Sequence, residues 1–198
     1  MDLIFLSFPT LKTNSGFPQL GYCLHLRRFA QAFKPHMALK INSKAPDFSL
    51  KDTEGNQFRL SKGISPNGHL ILFYPKAFTP GCTKEVCSFS EDYGFFSSRG
   101  IGITGISHDS PETLKLFKER YHLPFVLLSD PGRVVCRLYG AVYPFGLLTK
   151  RISFFIDGEG IIRHISDNLM NPDIHLAQTM RFIEKLNPDS AEKTKSKD

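Results

Sequence analysis

The chain has 198 residues, enough for one ordinary domain with tails, and 41% apolar, 22% charged and 12% aromatic residues mark a globular composition. A domain of about 150 residues buries about 68–70% of its unfolded surface, so stability requires neither a disulfide framework nor a structural metal. No run approaches the roughly 18 apolar residues of a membrane span, and the net charge of +6 includes no clustered Lys/Arg stripe of the kind that binds nucleic acid.

Residues 1–36 hold Lys12, Arg27, Arg28 and Lys34 against Asp2 alone, and show no sustained period. They read first as a poorly ordered, non-native extension with Met37 as the true start, and the alternative is an organellar transit peptide, which their Arg, Ser and scarce acids resemble. Leu3–Phe8 is too short, and lacks the basic flank, for a secretory signal. The expected domain spans 37–188. Residues 189–198, with three Lys and three acids, read as a charged disordered tail.

From Met37 onward, strands and helices alternate. Asp47–Leu50 and Gln57–Leu60 form a hairpin around a turn at Asp52–Asn56. His69–Tyr74 is apolar on both faces, which suits a central strand covered by helices on each side. Pro75 ends it. A helix is expected from about Gly81 to Ser98, then a strand at Ile101–Ser107. Ser110 followed by Pro111 is an N-cap with proline at the first helical position, opening a helix to about Tyr121. A short strand at Phe125–Leu128 and a helix at about Arg133–Tyr139 follow. Arg151–Ile156 and Ile161–Ile165 are strands joined through Asp157-Gly158-Glu159-Gly160, a strong hairpin signal. A last helix runs from about Asp173 to Leu186. This order gives an α/β fold with a central mixed sheet flanked by helices and an N-terminal β-hairpin.

The chemistry concentrates between Pro75 and Cys87. Thr79-Pro80 is a second N-cap and first-position proline, which places Cys82 in the first turn of a helix. Unpaired N–H groups and the positive end of the helix dipole favour a thiolate there, and the thiolate is the nucleophile. A buried structural cysteine near a helix start fits the same local pattern. Cys87 lies five residues on. In an intact helix the two Cα atoms stand roughly 8.6 Å apart and point about 140° away from each other, beyond the reach of a disulfide. Joining them would require this helix to unwind locally. The alternative for Cys87 is a side chain facing the core.

Pro75-x-x-x-Thr79-x-x-Cys82 resembles the active-site motif of the peroxiredoxin family, and Cys82-Thr83-Lys84-Glu85-x-Cys87 is similar to its bacterioferritin-comigratory-protein/PrxQ subgroup. Further similarity runs from about Ile41 to Leu186. It takes in Ala45-Pro46-Asp47-Phe48, Leu128-Ser129-Asp130-Pro131, and Arg151 before Phe154-Phe155-Ile156-Asp157. The resemblance implies a thioredoxin-like fold and a thiol peroxidase without cofactor. It implies that Cys82 is the peroxidatic thiolate and that Cys87 resolves its sulfenic acid as an intramolecular disulfide. It implies that Thr79 holds the peroxide oxygens, that Pro75, with or without Pro80, limits water, and that Arg151 supports the thiolate and the developing negative charge. Hydroperoxide is the implied substrate, a thioredoxin-like protein the reductant, and a monomer the implied state. A cytoplasmic location is expected, or an organelle if residues 1–36 are a transit peptide. Many relatives carry acids where this chain has Ala77-Phe78, and two apolar residues beside the site would favour organic hydroperoxides. A thiol–disulfide oxidoreductase on the same fold is disfavoured by the Cys-x-x-x-x-Cys spacing. A redox sensor would share the first chemical step.

Other signals carry less. Gly100-x-Gly102-x-x-Gly105 spells a dinucleotide fingerprint but falls within a strand rather than between strand and helix. His69, His108, His122 and His164 are scattered, and no Cys/His spacing suggests a metal. Cys136 reads as a core thiol. Arg163 reads as a strand-edge charge. No role is assigned to Cys23.

Overall fold

All five residues of strand β3 (His69–Phe73) are buried. Leu70 and Leu72 enter one core cluster, and Ile71 and Phe73 enter the other. The period of two along a strand explains this, because a strand covered on both faces presents apolar side chains to each in turn, and the polar exception, His69, meets Thr104 Oγ1 through Nε2 at 2.7 Å. The structure is a computed structural model that describes residues 39–144, 148–167 and 172–186. The expected extension 1–36 with Cys23 and the expected tail 189–198 lie outside the described residues.

Seven strands form one mixed sheet among the described residues, in the order β2-β1-β5-β4-β3-β6-β7. They are β1 (Ser49–Asp52), β2 (Gln57–Arg59), β3, β4 (Gly102–Ser107), β5 (Val126–Ser129), β6 (Ile152–Ile156) and β7 (Ile162–Ser166). β3 runs parallel to β4 and antiparallel to β6, with Phe73 opposite Ile152. β1 and β2 make the N-terminal hairpin, and β6 and β7 the last one. The latter turn spans 157–161, where Asp157 Oδ1 accepts the amides of Glu159 and Ile161 and Gly160 adopts φ +78°.

The helices are α1 (Leu60–Gly63), α2 (Pro80–Glu91), α3 (Tyr93–Ser97), α4 (Pro111–Arg120), α5 (Val134–Leu138) and α6 (Pro172–Leu186). The single helix expected over 81–98 is two. Asp92 leaves the helical region at φ −90°, ψ 14°, between a serine-rich turn and Gly94, all weak helix formers. One core packs Val86, Phe89, Phe96, Leu114, Phe117 and Ile183 against Leu70, Leu72 and Phe155. The other packs Leu60, Val135 and Tyr139 against Ile71, Phe73 and Phe154. Each such side chain contributes about 1.5–3 kcal/mol on burial.

The glycines of the dinucleotide-like string have a packing role. A Cβ on Gly102 would stand 2.5 Å from His69 Nδ1, and one on Gly105 would stand 2.8 Å from Leu127 Cδ2. Ser110 caps α4 as expected, its hydroxyl accepting the Thr113 amide at 3.3 Å.

Candidate active site

β3 delivers the chain to Pro75, which is half-buried at the strand end. The loop that follows is anchored from below. The Ala77 amide donates to Asp109 Oδ2 at 2.7 Å, and the Ser107 hydroxyl donates to the same oxygen at 2.8 Å. Ala77 is therefore part of the core, 3% exposed, and does not line the site as expected. Phe78 does face solvent. It adopts φ +62° and lays its ring edge-on to Phe117, centroids 5.1 Å apart. Left-handed backbone at a non-glycine residue costs about 1–2 kcal/mol.

Thr79 occupies the N-cap of α2 and Pro80 its first position, as expected. The Thr79 side chain does not cap, however. Its hydroxyl donates to the Lys76 carbonyl at 2.9 Å, because the turn through Phe78 brings that carbonyl beneath it. The first-turn amides of α2 are thus left without a side-chain acceptor, and a helix start in that condition attracts negative charge.

Cys82 lies in that first turn, 2% exposed, and Cys87 lies further along the same unbroken helix, partly exposed. Both thiols are free. Burial, and then the Glu91 carboxylate, push the Cys87 thiol above its ordinary value.

Arg151, just ahead of β6, reaches under α2 so that Nη2 stands 3.5 Å from Cys82 Sγ. Its Nε is 2.7 Å from Glu85 Oε2. Burial opposes the Arg151 charge, but the Glu85 carboxylate and the Cys82 sulfur more than offset it, and the guanidinium is held above its usual value. Glu85, three residues after Cys82, falls on the same helix face. Its second oxygen, Oε1, is 2.8 Å from His175 Nδ1, and His175 Nε2 is 2.7 Å from the Ser153 hydroxyl. The two Glu85 contacts stand at close ion-pair distance, one on each carboxylate oxygen. A guanidinium, an imidazole, a carboxylate and a sulfur therefore form one chain beneath the surface.

Glu85, Ser153 and His175 escaped sequence reasoning. An acid three residues after a cysteine at a helix start could have pointed to Glu85. Nothing local points to His175, which is 90 residues away in the chain. Pro75 borders an apolar hollow of about 330 Å³ with Tyr143, Leu148 and Thr149. Cys136 is fully buried, and its amide donates to Asp130 Oδ2 at 2.8 Å. Arg163 pairs with Asp157 at 2.6 Å, away from the cysteines.

Comparison with known proteins supplies the context. The AhpC/TSA family model matches residues 41–165. Peroxiredoxin Q, chloroplastic, of Suaeda salsa is 35% identical over 161 residues, covering 80% of this chain and 75% of that protein. The protein of the same name from Sedum lineare is 38% identical over 145 residues, covering 73% of this chain and 77% of that protein. The crystal structure of peroxidoxin BcpB from Mycobacterium tuberculosis superimposes with a TM-score of 0.70 at 30% identity, over 74% of this chain and 97% of that one.

Proposed function

The chain belongs to the AhpC/TSA family and is a thiol-dependent peroxidase of thioredoxin-like fold, and we propose that Cys82 is its peroxidatic sulfur and Cys87 its resolving sulfur. The observation that carries this is the Arg151 guanidinium 3.5 Å from a buried sulfur in the first turn of α2. Thr79 and Arg151 act on the peroxide and the sulfur, and Pro75 shields them from water.

The Cys82 thiolate attacks the terminal oxygen of a hydroperoxide. The O–O bond breaks, and the leaving oxygen departs as an alkoxide or hydroxide that takes a proton to become alcohol or water. The guanidinium and the first-turn amides stabilise charge as it shifts between sulfur and leaving oxygen, and such donors help most when they are already in place. The sulfenic acid left on Cys82 condenses with the Cys87 thiol and releases water. With α2 wound, the two Cα atoms lie roughly 8.6 Å apart, so the first turns must open before the disulfide forms. A thioredoxin-like dithiol protein then reduces that disulfide, its own sulfurs becoming oxidised.

Cys82→Ser is expected to abolish peroxide-dependent oxidation of thioredoxin, and retained turnover overturns the assignment. Cys87→Ser is expected to form a sulfenic acid yet lose multiple turnover. Absence of oxidised Cys82 in that variant, by mass spectrometry after one equivalent of peroxide, overturns the division of roles. Repeated turnover in the wild type also separates an enzyme from a redox sensor.

Organic hydroperoxides suit the site as well as hydrogen peroxide. Exposed Phe78 and the hollow beside Pro75 offer apolar surface to an alkyl group. A kcat/KM for cumene hydroperoxide far below that for hydrogen peroxide overturns this reading. The enzyme acts as a monomer, which light scattering of the reduced protein tests. The plant relatives are named chloroplastic, which favours the organellar reading of residues 1–36 over the cytoplasmic one. A fluorescent protein carrying those residues is expected to enter an organelle.

A further inference from the structure

We propose that His175 is a positioning residue for the peroxidatic step: it holds Glu85, and through Glu85 it aims the Arg151 guanidinium at Cys82. The proposal rests on the peroxidase reading and deepens it.

A carboxylate that touches a guanidinium through one oxygen remains free to swing about its own side-chain torsions. Glu85 is held through both oxygens, by Arg151 Nε at 2.7 Å and by His175 Nδ1 at 2.8 Å. Two contacts on opposite oxygens restrain the swing of the carboxylate, and with it the direction of the Arg151 fork whose Nη2 reaches Cys82. His175 is fixed in turn. Ser153 Oγ meets its Nε2 at 2.7 Å, and the Phe89 ring stands edge-on to it at 6.0 Å. Ser153 lies two residues beyond Arg151 in the chain, on the same side of the sheet. Helix α2, strand β6 and helix α6 are thus pinned together at one point by polar groups.

The charged groups that face His175 come from three elements. Glu85 faces it from α2, Arg151 lies beyond Glu85 just ahead of β6, and His164 lies nearby on β7. His175 and Glu85 are 0% and 2% exposed. Buried charge carries a desolvation cost that apolar packing of similar volume avoids, so such a pair is weak support for a purely structural role. The direct line from His175 through Glu85 and Arg151 to Cys82 gives it a functional one.

The test uses the full-length protein and follows oxidation of Cys82 in a single turnover with one equivalent of hydrogen peroxide. His175→Phe is expected to slow that step by about tenfold, equivalent to about 1.4 kcal/mol on the barrier. His175→Asn places an amide N–H near the former Nδ1 and is expected to restore the rate to within about threefold of wild type. His175→Gln places its amide near the former Nε2 and is expected to remain slow. Asn and Gln variants of equal rate overturn the proposal, as does a folded His175→Phe protein that reacts at the wild-type rate. The Asn–Gln comparison stands even where the Phe variant does not fold. If wild-type Cys82 itself resists peroxide, the peroxidase reading fails, and that outcome is distinct from either of these.

Discussion

Arg151 reaches Cys82 across the bare backbone of Gly81: a Cβ on Gly81 would stand 2.9 Å from Arg151 Nη2. The guanidinium cannot simply yield, because Glu85 holds its Nε. Gly81→Ala is therefore expected to push Nη2 off the sulfur. Alanine is favoured over glycine in a helix by about 1 kcal/mol, so the folded state should hold or gain stability while Cys82 oxidation slows by about tenfold or more. Urea unfolding and single-turnover kinetics on one sample measure both. Loss of rate without loss of stability is the expected pairing, and an unchanged rate would show that the guanidinium tolerates displacement.

Asp109 governs the loop in the same indirect way. Its carboxylate accepts the Ala77 amide and the Ser107 hydroxyl, both out of solvent. Asp109→Ala leaves a buried amide unpaired, at a cost of about 1–3 kcal/mol. The Phe78–Thr79 turn loses its anchor with it. Reduced stability together with a raised KM for peroxide is expected, measured by denaturation and steady-state kinetics.

His69 makes the fold acid-sensitive. Burial lowers its pKa from 6.5 to about 4, so the neutral ring is favoured in the fold and the unfolded chain binds its proton first. The stabilisation is complete above pH 6.5 and is lost as pH falls toward 4, by about 3 kcal/mol in total. A urea midpoint that drops over that window in the wild type and drops less in His69→Gln would bear this out. A parallel pair of curves would refute it.

Cys136 acts at the other end of the scale. Burial, followed by the Asp130 carboxylate, raises its pKa far above the ordinary value of 9.0. The unfolded chain loses this proton first as pH rises, so stability declines above about pH 9 by up to about 1.4 kcal/mol per unit. Cys136→Ala is expected to have a shallower alkaline slope and an unchanged rate of Cys82 oxidation.

What could be read from the chain alone was what local rules govern. Ser110-Pro111 opened α4, the double-faced run at His69 became β3, and Asp157-Gly158 marked the last turn, because caps, periods and turn residues act over a few positions. Asp92 broke a helix where the pattern continued, since a run of weak helix formers yields to the packing of Tyr93 and Phe96 into the same core cluster. Thr79 kept its place at the helix start, but its hydroxyl went to Lys76, an outcome set by the left-handed turn at Phe78. Cys82 and Cys87 announced themselves by spacing. The meeting of Glu85 with His175 joins α2 to α6 across the fold, and no local rule reaches that far.

Glu85 also stands between Cys82 and Cys87 on α2, and it makes its contacts with Arg151 and His175 from the wound helix. If Cys82 and Cys87 divide the work as proposed, this clasp must open before their disulfide can form. A tighter clasp would then leave a Cys82 sulfenic acid longer within reach of a second peroxide, which carries it on to sulfinic acid, the irreversible rung. A looser one would let Cys87 arrive sooner and lower the share of protein lost to each dose of oxidant.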